Sequence, residues 1–196
     1  MSDELNSLIN QARENKIPVM KDGGITFLKE LLVEHKEIQK ILEVGTAVGC
    51  SSMEMASVRE DIMIDTLEVD PNRARQAVQN IIDRGYSDRI FVHAGDAAEY
   101  ITMASYDLIF IDAAKSQYGR YTEHFMDNSH IGTLFVYDNL SFHGIVDDPA
   151  LSHNRSTLQM TRKIKEFREH LLSDNRFDTV FYEDTGDGIA VARRIL

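Results

Sequence analysis

The sequence predicts a single α/β domain whose open, mostly parallel β-sheet carries helices on both faces. Short apolar runs alternate along the chain with stretches of helical length, which is the pattern of a doubly wound sheet. A Gly-rich link at 184–188 joins the last two apolar runs and is short enough for a hairpin, so we expect the last strand to be antiparallel. No linker, repeat or low-complexity tract divides the sequence, and we therefore expect one domain over residues 1–196.

The elements follow from the spacing of apolar residues and from turn-forming residues between them. Two helices come first, over 3–14 and 22–35. Seven strands are predicted after them, at 41–44, 62–67, 90–92, 108–111, 134–137, 177–182 and 189–194. The remaining helices are predicted at 50–58, 70–84, 97–103, 117–127 and 157–171.

Two of these helices have specific signals. The helix over 70–84 begins with Asp70 as a typical N-cap and Pro71 in the first turn, and Gly85 is a typical helix end. The helix over 157–171 is indicated by one apolar face, formed by Leu158, Ile164, Phe167 and Leu171.

Composition and charge limit the class of protein. The formal net charge of −11 argues against general electrostatic binding of nucleic acid, which requires clustered Lys and Arg. A focused RNA contact stays open because local basic clusters exist, at Arg73 and Arg75, at Arg162, Lys163, Lys165 and Arg168, and at Arg193 and Arg194. No apolar run approaches the roughly 20 residues of a membrane helix. The acidic N-terminus lacks signal-peptide features and the single Cys50 suits a reducing compartment, so we predict a cytoplasmic protein without membrane contact.

Acidic and amide side chains stand at the ends of four predicted strands. In a doubly wound sheet, ligands bind beyond the carboxyl ends of the strands. Glu43 lies in the first strand, Glu68 follows the second, Asp112 the fourth, and Asp138 with Asn139 the fifth. One such acid is usually a helix cap or turn former, but acids at four of the first five strands indicate a binding site.

The first strand and its turn, "LEVGTAVGCSS", indicate a ligand that is not a dinucleotide. Gly45 and Gly49 allow a sharp turn and a close backbone approach. The Gly-Lys-Ser/Thr ending of a phosphate-binding loop is missing, and Ala47 stands where the dinucleotide fingerprint requires glycine. Glu43 would repel a pyrophosphate but suits a ligand with a free ammonium group, and Ser51 is placed to bond the ligand or cap the next helix.

The next two strand ends complete a nucleoside site. Glu68 lies 23 residues after Gly45, where an acid commonly holds both ribose hydroxyls. Asp96 and Ala97, in the "GDA" after the third strand, are placed to meet an adenine edge. An acid in the turn, an acid for the ribose and this motif together predict S-adenosylmethionine as the ligand.

The fourth and fifth strand ends predict a metal site. Asp112, Asp138 and Asn139 offer only oxygen atoms, without clustered His or Cys, which favours Mg²⁺, with Ca²⁺ or Mn²⁺ as substitutes. A metal there would chelate two vicinal oxygens of a substrate and acidify a bound hydroxyl. Lys115, three residues after Asp112, is predicted to be the general base, because nearby cationic charge favours its neutral form. The alternative for Lys115 is a surface residue that begins a helix.

These residues resemble the cation-dependent O-methyltransferases, the family of the catechol and caffeoyl-CoA O-methyltransferases. The resemblance extends from about Ile17 to Arg194 and rests on "LEVGTAVGCSS", "EVDPNRARQAVQNI", "GDA", "YDLIFIDAAKSQY", "VYDN" and "GDG". It implies a Rossmann-like methyltransferase fold and a homodimer, with helices over 1–35 that cap the cofactor site and could contact the partner. It also implies site roles for individual residues: cofactor contacts for Met20, Glu43, Gly45, Ser51, Glu68, Asp96, Ala97 and Asp112; metal ligation for Asp112, Asp138 and Asn139; and catalysis for Lys115 and Asp112.

Within the family, "IPVM" and "DAAKSQY" look most similar to the bacterial tRNA 5-hydroxyuridine methyltransferases. The acceptor implied is the 5-hydroxyl of 5-hydroxyuridine at the wobble position of the tRNA anticodon loop, which would become 5-methoxyuridine. Its 5-hydroxyl and 4-carbonyl are vicinal oxygens, and a base in a single-stranded loop can be splayed into a pocket. Arg73, Arg75 and Arg120 are candidates for phosphate contacts.

Three other interpretations stay open at this point. The acceptor could be a small catechol-like or phenolic metabolite, in a pocket lined by Tyr118, Phe142 and His143. An NAD-binding oxidoreductase is disfavoured by Ala47 and by the metal set. A protein that binds the cofactor without catalysis would leave the set of Asp112, Lys115, Asp138 and Asn139 unexplained.

Overall fold

The computed structural model describes residues 3–196 and contains one seven-stranded sheet. Its strands are β1 (Lys40–Val44), β2 (Met63–Glu68), β3 (Ile90–Ala94), β4 (Tyr106–Ile111), β5 (Ser129–Tyr137), β6 (Phe177–Tyr182) and β7 (Ile189–Arg194). They lie side by side in the order β3-β2-β1-β4-β5-β7-β6. All neighbouring pairs are parallel except those of β7, which is antiparallel to both β5 and β6. The predicted doubly wound sheet with an antiparallel last strand is confirmed.

Within the described residues, six α-helices cover this sheet. They are α1 (Asp3–Glu14), α2 (Asp22–Glu34), α3 (Cys50–Ala56), α4 (Pro71–Asp83), α5 (Tyr118–Phe125) and α6 (Arg155–Ser173). Single 3-10 turns occur at Ala97–Glu99, Lys115–Gln117, Met126–Asn128 and Pro149–Leu151. None of the helices within residues 3–196 is both long and apolar enough to cross a membrane.

Several predicted helices differ from the structure at an end, most by one or two residues, and two of the differences have a clear physical reason. The helix expected over 97–103 is only the 3-10 turn at 97–99, because the amide of Asn128 donates to the carbonyls of Thr102 and Ala104 at 2.9 Å and holds that segment extended. The last helix begins two residues earlier than expected. Asn154 is its N-cap and accepts hydrogen bonds from the amides of Ser156 and Thr157, a signal stronger than the apolar face used for the prediction.

The apolar core forms one layer on each face of the sheet. α1, α2, α3 and α4 pack over one face, whereas α5 and α6 pack over the other. The apolar residues of α1, namely Leu5, Leu8, Ile9 and Ala12, are buried in the first layer. A partner contact of the helices over 1–35 would therefore have to use other side chains, since these apolar ones pack inside the chain itself.

The register of the parallel strands aligns their carboxyl ends. Val44 pairs with Leu67 on one side and with Ile111 on the other, and Ile111 pairs with Tyr137. The residues that follow these four positions therefore form a row along one edge of the sheet, in the order Glu68, Gly45, Asp112 and Asp138. β1 and β4 are also where the strand order changes direction, which is the ligand-binding crevice of such sheets.

Candidate active site

A cavity of about 530 Å³ lies at this edge of the sheet. That volume lies within the usual range of small-molecule pockets, about 300–1,000 Å³. Its wall includes the N-terminal segment 18–21, the turn after β1, the ends of β2, β4 and β5, and Asp187. Most of the predicted site residues line it, namely Met20, Gly45, Ser51, Glu68, Ala97, Asp112, Lys115, Asp138 and Asn139. Glu43 and Asp96 do not.

The turn after β1 packs directly against the end of β4. Gly45 has a φ of +109°, and a Cβ built on it would lie 2.1 Å from the carbonyl oxygen of Asp112. The Gly45 amide donates to the carbonyl of Leu67 at 2.9 Å. Only glycine allows both this conformation and this contact.

We expect Gly45→Ala to abolish binding of S-adenosylmethionine and to lower the melting temperature, because the added methyl must push the β1 turn away from Asp112. Strained backbone alone costs about 1–3 kcal/mol. Gly132→Ala is the matched control, since Gly132 has a φ of +100° but open space around its Cβ position. Calorimetric titration and thermal unfolding should show a larger loss for Gly45→Ala than for the control. Equal losses would mean that the close approach to Asp112 has no role.

Glu43 lies beneath the cavity and supports its wall. The residue is fully buried, and its carboxylate accepts hydrogen bonds from the hydroxyls of Ser51, Ser52 and Thr66. Burial raises the pKa of Glu43, and the three hydroxyls oppose that rise. Of these partners, Ser51 lines the cavity. A direct contact of Glu43 with a ligand ammonium stays a prediction.

The end of the cavity predicted to hold the nucleoside has one acid in its wall and one outside it. Glu68 is 6% exposed and accepts the amides of Ala47 at 2.8 Å and Asp70 at 3.0 Å, so its carboxylate is fixed in position. Asp96 accepts the amide of Ala98 at 2.9 Å and caps the 3-10 turn. That cap places Ala97 in the wall.

The other end of the cavity brings together the residues predicted to bind metal and to act as base. Lys115 Nζ donates to Asp112 Oδ1 at 2.9 Å and also to the side-chain oxygen of Asn139. Asn139 has a φ of +60°, a left-handed conformation uncommon for residues other than glycine. The sequence prediction that these four side chains converge, Asp138 included, agrees with their common place in the cavity wall.

Asp138 is the least satisfied polar side chain of this group. It is 1% exposed, and within residues 3–196 neither carboxylate oxygen has a hydrogen-bond partner. Burial, followed by the charge of Asp112, raises the pKa of Asp138 to about 7. A buried carboxylate without donors is costly unless a cation compensates it.

The donor set fits a divalent metal ion. Two carboxylates and an amide oxygen are hard ligands of the kind that Mg²⁺ and Ca²⁺ prefer. The Lys115 ammonium already contacts oxygens of two of the three predicted ligands, so a cation is accommodated at this place. Another acidic group, formed by Glu123, His170 and Asp174, is explained differently, because the guanidinium of Arg176 bonds both of its carboxylates.

Three more residues line the cavity, namely Lys21, His143 and Asp187. The sequence predicted no role for Lys21 or Asp187, and only a lining role for His143. Asp187, 6% exposed, accepts Lys21 Nζ at 2.9 Å and the amide of His143 at 2.8 Å. Although burial opposes it, these hydrogen bonds hold the pKa of Asp187 below its usual value. The only signal for Asp187 was its place in the "GDG" motif, and the sequence holds no sign that Lys21 would meet it.

Two further sequence predictions have different outcomes. Phe142 and His143 line the cavity as expected, but Tyr118 does not. Tyr118 is 1% exposed and donates its hydroxyl to the carbonyl of Asp138, so it supports the site from below. Of the arginines considered for phosphate contacts, Arg73 lines the cavity, whereas Arg75 and Arg120 do not.

The fold and the cavity define an α/β protein whose cavity lies where the strand order changes direction. The sequence matches the O-methyltransferase family over residues 1–195. It is 30% identical to a catechol O-methyltransferase of Niastella koreensis, over 83% of this chain and 76% of that protein. It is 27% identical to a caffeoyl-CoA O-methyltransferase of Populus kitakamiensis, over 91% of this chain and 78% of that protein.

Solved structures agree with these relatives. A candidate caffeoyl-CoA O-methyltransferase from Staphylococcus aureus is 30% identical, with a TM-score of 0.91 over 97% of this chain and 91% of that chain. An O-methyltransferase from Bacillus cereus, solved in complex with SAH, is 25% identical, with a TM-score of 0.81 over 99% of this chain and 91% of that one. The chain belongs to the O-methyltransferase family. It is an S-adenosylmethionine-dependent O-methyltransferase of the catechol and caffeoyl-CoA type.

Proposed function

We propose that this enzyme methylates a hydroxyl group that lies beside a second oxygen, so that both can bind one divalent cation. Asp112, Asp138 and Asn139 would hold the cation, with Mg²⁺ as the first candidate and Ca²⁺ or Mn²⁺ as substitutes. The observation that carries this proposal is the buried carboxylate of Asp138, which has no hydrogen-bond partner among the described residues. A bound cation supplies Lewis acidity and lowers the pKa of the acceptor hydroxyl.

Lys115 is proposed to act as a neutral amine once the cation is bound, and to take the proton of that hydroxyl at Nζ. Its side chain is 14% exposed and is held in the cavity by Asp112 and Asn139. Proton transfer leaves an oxyanion on the acceptor. The oxyanion attacks the methyl carbon of S-adenosylmethionine, a C–O bond forms, the C–S bond breaks, and S-adenosylhomocysteine is released. Holding the two reactants in line contributes much of the rate in reactions of this kind.

The residues proposed to hold S-adenosylmethionine are those of the other cavity end. Met20, Gly45, Ser51, Glu68 and Ala97 all line the cavity. Glu68 is fixed by two backbone amides and is suited to accept hydrogen bonds from the ribose hydroxyls. Glu43 would contribute through Ser51, and Asp96 through Ala97. Asp112, whose backbone packs against Gly45, is proposed to contact the cofactor as well.

The acceptor we propose is 5-hydroxyuridine at the wobble position of tRNA. The exposed side chains at the cavity mouth support it: Lys21 is 48% and His143 is 62% exposed, so one ring can enter while the rest of a large acceptor stays outside. Its adjacent 5-hydroxyl and 4-carbonyl suit chelation, and the unpaired wobble base can leave its stack.

A small catechol-like acceptor is the second candidate. The relative from Niastella koreensis, named a catechol O-methyltransferase, favours it, as does the apolar ring of Phe142 in the cavity wall. The homodimer and the cytoplasmic location implied by the sequence are retained as predictions. A dimer would need a surface other than the buried apolar face of α1.

We expect methyl transfer from labelled S-adenosylmethionine to depend on Mg²⁺ and to stop when EDTA is added. The assay should compare tRNA that contains 5-hydroxyuridine with a simple catechol. EDTA-sensitive labelling of the tRNA at much lower acceptor concentration would support the wobble-base acceptor. Labelling of the catechol alone would overturn the tRNA proposal, and labelling that survives EDTA would overturn the metal proposal.

A further inference from the structure

Two nitrogen-bearing side chains meet one buried carboxylate at the mouth of the cavity. Lys21 Nζ lies 2.9 Å from Asp187 Oδ1 and 3.4 Å from Nδ1 of His143. Asp187 is almost fully buried, but Lys21 and His143 both face solvent over about half of their side chains or more. The proposed mechanism uses none of the three.

This group adjoins the reacting end of the cavity. A Cβ built on Gly186, in the turn that carries Asp187, would lie 3.8 Å from Asp138 Oδ1. Lys21 and His143 also line the same cavity as Asp138 and Asn139. A chemical group attached to an acceptor ring can therefore reach them while the ring occupies the cavity.

The hydrogen-bond pattern leaves donors available to a ligand. An ammonium has three N–H donors and no acceptor, so Nδ1 of a neutral His143 must accept in the contact with Lys21. The ring proton of His143 then lies on Nε2. With Asp187 and Nδ1 as its partners, Lys21 retains one ammonium hydrogen. Nε2–H and this hydrogen are both donors, as anion binding requires.

The backbone holds His143 in this position despite strain. Phe142 and His143 have φ angles of +44° and +58°, a left-handed conformation that costs about 1–3 kcal/mol at each non-glycine residue. Hydrogen bonds to the 187–188 turn offset this strain, from the amides of Leu140, Ser141 and His143 at 2.8 to 2.9 Å. A strained segment fixed in this way is typical of a binding site.

We propose that Lys21 and His143 determine acceptor specificity by binding a phosphate group attached to the nucleoside that is methylated. This inference rests on the proposed nucleoside acceptor. Charge-assisted hydrogen bonds from an ammonium to phosphate oxygens are short and strong. Asp187 holds Lys21 through its ammonium and His143 through its backbone amide. The solvent-facing sides of Lys21 and His143 remain available to the phosphate. A small catechol has no such group and gains nothing from these residues.

The test compares a nucleoside acceptor with its bisphosphate, which differs from it only in phosphate, and with tRNA. Methyl transfer is measured with 5-hydroxyuridine, with its 3′,5′-bisphosphate and with 5-hydroxyuridine-containing tRNA, for the native enzyme and for Lys21→Gln and His143→Asn. Asparagine tolerates the left-handed backbone of position 143. For Lys21→Gln, the ratio of kcat/KM for the bisphosphate to that for the nucleoside should fall about 10-fold or more, as expected for a lost hydrogen bond to a charged group.

Lys36→Gln is the matched control, because Lys36 is exposed and lies beyond the far end of α2, about 20 Å along the helix from Lys21. Its acceptor ratio should equal that of the native enzyme. An unchanged ratio in Lys21→Gln would overturn the proposal. So would an equal loss of kcat/KM with every acceptor, because that result would mean that Lys21 only stabilises the cavity wall.

A second measurement separates this inference from the proposed acceptor. Uridine 3′,5′-bisphosphate and uridine are compared as inhibitors of catechol methylation, with native enzyme and with Lys21→Gln. Stronger inhibition by the bisphosphate that is lost in Lys21→Gln would support the phosphate site even if no tRNA is methylated. Equal inhibition by both compounds would overturn the phosphate site, whatever the outcome with tRNA.

Discussion

Replacing Asp138 with asparagine is expected to lower methyl transfer about 100-fold or more, because a direct metal ligand should matter at least as much as the outer partners of such ligands. The change should leave the affinity for S-adenosylmethionine nearly unchanged. It should also abolish the rise in melting temperature that we expect Mg²⁺ to cause in the native enzyme if it binds the folded state. Acceptor methylation, calorimetric titration and thermal unfolding with and without Mg²⁺ measure the three effects.

The same substitution should stabilise the protein when metal is removed. Burial raises the pKa of Asp138 to about 7, above its usual value of 3.8. A carboxyl with a raised pKa binds more protons in the folded state, so its stabilising contribution is present at low pH and is lost as pH rises from about 4 to about 7. The free energy of unfolding of the metal-free native enzyme should therefore decline through this interval relative to Asp138→Asn.

Asp178→Asn, at an exposed position on β6, provides the control for both measurements. It should keep the native activity, the native response to Mg²⁺ and the native dependence of stability on pH. An Asp138→Asn protein with full activity and an intact Mg²⁺ response would contradict the metal site.

Replacing Lys115 with methionine is expected to reduce kcat by about 10²- to 10⁴-fold, the usual effect of removing a general base. Methionine keeps an unbranched side chain, so the packing beside Tyr118, where Nζ lies 5.6 Å from the ring centroid, is largely preserved. Binding of S-adenosylmethionine and the melting temperature should change little. Single-turnover kinetics would isolate the chemical step from product release.

Lys115→Arg distinguishes a base from a fixed positive charge. Arginine keeps the charge but is not deprotonated in proteins, so it should be about as inactive as methionine if the residue removes a proton. Substantial activity in Lys115→Arg would instead indicate that only charge is required. Lys163→Met, on the exposed face of α6, controls for the loss of a lysine elsewhere.

The sheet was predictable because its strands are short, apolar and separated by helix caps or glycines. The place of the site was predictable as well, because its residues lie at the ends of these strands. Once strands are parallel and in register, residues just beyond them must share one edge, so Glu68, Asp112 and Asp138 could be brought together without coordinates. The extended conformation after residue 99 was not predictable, because it depends on a hydrogen bond from Asn128, which lies in a distant part of the chain.

Side-chain environments were less predictable than positions. The sequence indicated that Glu43 belongs to the site, but not that three hydroxyls would engage it beneath the cavity wall. Hydroxyls from α3 and β2 meet that carboxylate only through packing. The contacts of Asp187 with Lys21 and with His143 likewise join segments that no local pattern relates.

The hydrogen bond between Lys21 and Asp187 links residues that are 166 positions apart in the chain. During synthesis, residues 18–21 leave the ribosome early. The Asp187 carboxylate, which binds Lys21, emerges only after six of the seven strands have been made. A nascent chain can therefore build most of the sheet while the acceptor pocket is still open on one side. Contacts of such long range slow folding. We expect the ability to discriminate acceptors to be the last property that the folding enzyme acquires.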